Sequence, residues 1–73
     1  MAKSVWRYTM TVQEQKLWDN TELKGWRTAM EAYVEDEARD RGCVKYVIIS
    51  HANNVVAESA VKTLPKVELA TTN

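Results

Sequence analysis

Leu23, Trp26, Met30, Tyr33, Val34 and Ala38 recur at helical spacing along the middle of the chain. Apolar residues repeating with a period near 3.6 form the buried face of an amphipathic helix. In a chain of 73 residues, this helix is the element around which everything else must fit. Asp19 and Glu22 have the spacing of a capping box, with Asp replacing Ser or Thr at the cap. Trp18 and Leu23 flank it at the positions of a hydrophobic staple. At the other end, Arg39 and Arg41 suit the negative pole of the helix and Gly42 suits a left-handed stop. Glu35–Arg39 and Glu37–Arg41 are i,i+4 pairs in the favourable order. The spacing predicts a helix over 20–41, with Gly25 costing it about 1 kcal/mol relative to Ala.

On either side the period changes to two. In residues 5–12, Trp6, Tyr8, Met10 and Val12 share one face, and Val5, Arg7, Thr9 and Thr11 share the other. This alternation of β-formers predicts a strand with one buried face, and the polar residues 13–16 are expected to form a loop. Residues 44–50 are apolar on both faces from Tyr46 to Ile49, as in the central strand of a small sheet. Two readings are open for the stretch beyond. Asn53 and Asn54 suit the two left-handed positions of a type I′ hairpin turn, which would make 55–63 a third strand and set Tyr46 near Val61 and Ile48 near Ser59. Ala57, Ala60, Val61 and Leu64 also fit a helical stripe that Asn54 could cap and Pro65 could end. The hairpin is preferred. Val67, Glu68 and Leu69 suggest one further short strand, and 66–73 is expected to fray. The chain therefore reads as one α+β domain over 1–73: a two-layer β-α-β core with an added C-terminal strand, its one long helix packed on a small sheet.

Several chemistries find no support in this sequence. Cys43 is the only cysteine and His51 the only histidine, so neither a disulfide framework nor an ordinary zinc site is expected. Cys43 reads as a small apolar residue at a strand start. Glu35, Asp36, Glu37 and Asp40 crowd one helix, where acidic residues usually form a solvated face and not a catalytic pair. Ser50 and His51 are adjacent, a spacing that on a strand points them to opposite faces and separates any nucleophile from its base. No glycine-rich loop exists to cradle a phosphate. No catalytic residue, metal ligand or cofactor is expected. No run approaches the roughly 18 apolar residues of a membrane span, and the N-terminus lacks a signal-peptide pattern; a cytoplasmic protein is expected. Ten basic residues balance ten acidic ones, which lowers the expectation of a dedicated nucleic-acid binder.

The informative surplus is aromatic: three Trp, three Tyr and no Phe. Tyr8, Trp26 and Tyr33 are expected in the core from their places on the apolar faces. Trp6 lies between Lys3 and Arg7, and Trp and Arg are the residues most enriched at binding hot spots. Lys3, Trp6 and Arg7 are the candidate partner-binding residues, an aromatic anchor with a cationic rim; the alternative is an edge-strand Trp beside two solvated cations. With its β-α-β core, no catalytic set, no targeting signal and this Trp/Arg-bearing N-terminus, the chain resembles the small phage-encoded host-takeover proteins, among them regulators of bacterial RNA polymerase. The resemblance implies a non-enzymatic protein that binds the polymerase, inhibits initiation of transcription and acts as an antiterminator. That class shares no signature motif, so no residue role is transferred. Two other classes remain in view. A nucleic-acid-binding module would use Lys3, Arg7, Lys16, Lys24 and Arg27 with Trp6 for stacking. A small oligomeric ligand carrier would pair its open sheet edges between subunits.

Overall fold

The computed structural model describes residues 4–61. In chain order the elements are β1 (Val5–Thr9), α1 (Val12–Asp19), α2 (Lys24–Asp40), β2 (Lys45–Ile49) and β3 (Val55–Ala60). The three strands form one sheet in the order β1-β2-β3, with β1 parallel to β2 and β3 antiparallel to it. The long helix α2 packs on β2 and β1, and α1 packs on α2. This is the α+β, two-layer arrangement that the periodicities predict, with one helix more than expected. Lys3 and the stretch 62–73, including the suggested strand at 67–69 and the fraying end, lie outside the described residues.

The extra helix corrects the reading of 11–19. Thr11, not Asp19, begins a capping box. The Glu14 N–H donates to Thr11 Oγ1 at 3.1 Å, and the Thr11 N–H donates to Glu14 Oε1 at 3.0 Å. Thr-x-x-Glu is the usual form of this motif. Val12 conceals it by continuing the strand alternation one step too far, and the polar 13–16 stretch is helical surface. Asp19 is the last residue of α1, where its carboxylate accepts from the Gln15 side chain at 3.1 and 3.2 Å. Its proposed box with Glu22 does not form. The Asn20 side chain accepts from the Glu22 N–H at 2.9 Å, and the Leu23 N–H donates to the Asn20 carbonyl at 3.0 Å, so 20–23 is a turn. α2 thus begins four residues later than predicted and has no side-chain cap.

The far end of α2 follows the prediction. Gly42 has φ 77°, in the left-handed region where a Cβ is strained. The Arg39–Glu35 and Arg41–Glu37 pairs close at 2.8 and 2.6 Å. The hairpin reading also holds, and the helix alternative for 55–64 fails as far as it is described. The turn itself lies one residue earlier than expected. Ser50 Oγ accepts from the N–H groups of Ala52 and Asn54 at 3.2 and 3.0 Å, and the Asn53 N–H donates to the Ser50 carbonyl. Only Asn53 is left-handed, with φ 73°. Moving the turn by one residue moves the register by two, so Tyr46 faces Ser59 and Ile48 faces Ala57. A bulge follows: Ile49 pairs with Val55, leaving Val56 as the extra residue of β3.

The core lies between sheet and helices. It holds Met10, Trp18, Met30, Val34, Ala38, Tyr46, Ile48 and Val61, with Trp6, Tyr8, Trp26, Cys43, Val56 and Ala57 packed around it. Trp18 is buried, but as part of α1 and not as a staple before α2. Tyr33 departs from its predicted core position: it is 50% exposed at the rim where α2 passes the β1 edge. Among the described residues the helices cover one face of the sheet. On the other face the register aligns Arg7, Val47 and Glu58 in a row across the three strands.

Candidate functional site

Among the described strands β1 lies at the sheet edge, and its helix-side residues form an aromatic ledge. The Trp6 and Tyr8 rings lie 5.7 Å apart, and Tyr33 meets Tyr8 edge-on at 6.1 Å. Trp6 and Tyr8 are half-buried, so each ring presents one side to the core and the other to solvent. The Arg41 guanidinium lies over the Trp6 ring at 4.1 Å while Nη1 donates to Glu37 Oε1 at 2.6 Å. This arrangement depends on the left-handed stop at Gly42, which ends α2 with Arg41 above the strand. The cation–π contact and the ion pair together fix the guanidinium over the ring, a placement that suits Arg at interfaces.

Tyr8 is held at its tip. Its O–H donates to the Glu14 carboxylate, at 3.0 Å to Oε1 and 2.8 Å to Oε2. Glu14 thereby serves both the capping box of α1 and the sheet edge. Burial, the hydrogen bond and charge of Glu14, and the nearby Tyr33 push the Tyr8 pKa up to about 12. Tyr46, on the central strand, is also raised, first by burial and then by the charges of Glu31 and Glu35, with a hydrogen bond to the Ser59 side chain working against them. Neither phenol is activated as an acid or a nucleophile.

The predicted binding residues separate. Trp6 belongs to the ledge. Arg7, its chain neighbour, lies on the face of the sheet away from the helices, is exposed, and makes no ion pair or hydrogen bond among the described residues. The basic cluster expected of a nucleic-acid module is divided as well. Arg27 is engaged by α1: its Nε–H donates to the Trp18 carbonyl at 2.8 Å and its guanidinium lies 5.4 Å from the Trp18 ring. It sits in the helix layer with Lys24, on the side of the sheet opposite to Arg7. Sequence reasoning missed Tyr8, Tyr33 and Arg41 as surface-forming residues. Arg41 was legible only as an i,i+4 partner of Glu37, because its stacking depends on where β1 lies.

Ser50 and His51 make no catalytic pair. Ser50 is buried and organises the hairpin turn, while His51 is exposed in that turn. No group of three or more His, Cys, Asp or Glu among the described residues could hold a metal ion, and no helix among them is long and apolar enough to cross a membrane. No family model matches the chain, and neither the curated proteins nor the solved structures contain a match.

Proposed function

We propose that this chain is a non-enzymatic, cytoplasmic protein-binding regulator whose contact surface is the β1 edge. One observation carries the reading: Trp6, Tyr8 and Tyr33 form a continuous half-exposed aromatic ledge, with Arg41 stacked on its end at 4.1 Å. Aromatic side chains and Arg supply most hot-spot energy at protein interfaces, and a ledge whose rotamers are already fixed loses little entropy on binding. The resemblance to phage host-takeover proteins makes bacterial RNA polymerase the partner, with inhibition of initiation and antitermination as the effects; nucleic acid takes part only through that complex.

The test is binding of the full chain to purified bacterial RNA polymerase, with Tyr33→Ala and Arg41→Ala as surface variants checked for folding by circular dichroism. A stable complex weakened at least tenfold by either folded variant supports the reading. Absence of a complex at micromolar concentrations refutes polymerase as the partner, and unchanged affinity in both variants refutes the ledge.

A further inference from the structure

We infer that the free edge of β1 accepts an acidic, extended segment of a partner protein as a fourth strand, read by Arg7. The inference rests on the protein-binding reading and specifies the chemistry of what binds. Among the described residues β1 has a neighbour on one side only, β2. Met10 N–H donates inward to the Ile49 carbonyl at 2.8 Å, and backbone groups in a strand alternate in direction. Trp6 and Tyr8 therefore pair toward β2, and Val5, Arg7 and Thr9 turn their N–H and C=O groups outward. α1 packs on α2 and reaches β1 on its helix side, through Glu14 on the Tyr8 hydroxyl, while Val5, Arg7 and Thr9 are exposed. A row of outward backbone groups is a template for strand addition.

Side-chain direction then decides what the added strand must carry. In antiparallel addition, the residue that exchanges both hydrogen bonds with Arg7 lies about 5.5 Å away, Cα to Cα, with its side chain on the same face. That face is the one away from the helices, where Arg7 is exposed and makes no ion pair among the described residues, and where Lys45 lies on the adjoining strand, paired with Val5. A Glu or Asp opposite Arg7 supplies the missing charge, since opposite charges directly across a ladder attract and like charges repel. The residues on either side of it point to the other face, beside Trp6, Tyr8 and Tyr33, and apolar side chains suit them. The recognised pattern is apolar–acidic–apolar.

The same reasoning discriminates against the competing arrangements. The far edge, β3, carries Glu58, which repels an acidic strand. A second copy added antiparallel through β1 and centred on Arg7 would oppose Arg7 to Arg7. A head-to-tail contact, β1 of one copy on β3 of the next, would match Arg7 with Glu58 but generate an open chain, so it is kept as an outcome of the test.

The experiment titrates the isotope-labelled full chain with three short capped peptides: one with a valine–glutamate–valine centre, one with lysine replacing the glutamate, and one carrying the glutamate but N-methylated on alternate backbone nitrogens. Expected are binding of the first alone, shifts and slowed hydrogen exchange at the Val5, Arg7 and Thr9 amides, affinity about fivefold weaker in Arg7→Ala, and a preference for the lysine peptide in Arg7→Glu. Both variants are at an exposed position, and their amide spectra report whether they fold. Equal binding of the glutamate and lysine peptides, equal binding of the N-methylated peptide, or shifts confined to β3 overturns the inference. A solution mass that rises with concentration and falls back in Arg7→Glu assigns the edge to self-assembly and also overturns it. Polymerase binding that survives Arg7→Glu but is lost in Tyr33→Ala leaves the ledge standing and removes the added strand.

Discussion

The bond from Tyr8 to Glu14 joins the sheet edge to α1, and its removal should have a measurable and specific cost. Tyr8→Phe deletes the hydroxyl and keeps the ring that packs against Trp6 and Tyr33. A hydrogen bond to a charged group contributes about 1.5–3 kcal/mol. Tyr8 is only partly buried, so the lower end applies, about 1.5 kcal/mol; for a domain of this size that lowers Tm by roughly 6 to 12 °C. Glu14→Ala costs more, because it also opens the capping box with Thr11, adding about 1 kcal/mol. The two losses are not independent. Once Glu14 is gone the Tyr8 hydroxyl has lost its acceptor, so the double variant should be no less stable than Glu14→Ala alone. Denaturant unfolding of the four proteins gives the coupling energy directly, and the shared capping loss cancels in the cycle. Additive effects, or a Tyr8→Phe protein within about 0.3 kcal/mol of the parent, would refute the linkage. The pH dependence has a definite sign. Tyr8 holds its proton more tightly in the folded state, with a pKa of about 12 against an ordinary value of 10.0. The unfolded chain therefore loses this proton first, and the stabilisation is complete below pH 10 and lost as pH rises from 10 to about 12. Solvent screening at the partly exposed hydroxyl limits that loss to about 1 kcal/mol, and Tyr8→Phe should remove it from the alkaline unfolding profile.

Two further outcomes test the fold. Ile48 is fully buried in the central strand, so Ile48→Ala should cost about 2–5 kcal/mol; loss of the cooperative thermal transition is expected, and a Tm within a few degrees of the parent would mean that the sheet is not packed as described. Gly42→Ala places a Cβ at φ 77°, where nothing lies within 4 Å of it, so the cost is backbone strain alone, about 1 kcal/mol. Urea unfolding that shows no loss would contradict the left-handed stop.

The sequence by itself determined the elements whose signals are local. α2 is legible from the spacing of Met30, Val34 and Ala38, its end from Gly42, and its surface pairs from Glu35, Glu37, Arg39 and Arg41, because these depend only on residues within one or two turns. The alternation of Trp6, Tyr8 and Met10 and the two-sided apolar run from Tyr46 to Ile49 likewise defined a strand with one buried face and a central strand. α1 was also encoded locally, in Thr11 and Glu14, but Val12 satisfied two periods at once and the strand pattern masked the helix start. Only the tertiary structure decided the rest. Strand order, the register set when Ser50 captures the turn, the stacking of Arg41 on Trp6, the rim position of Tyr33 and the separation of Arg7 from Arg27 all depend on segments far apart in the chain. Periodicity assigns a residue to a face of its own element. Which other element covers that face, or leaves it open, follows from how the elements close around a common core, and the aromatic ledge on β1 on which the proposed function rests is a product of that closure.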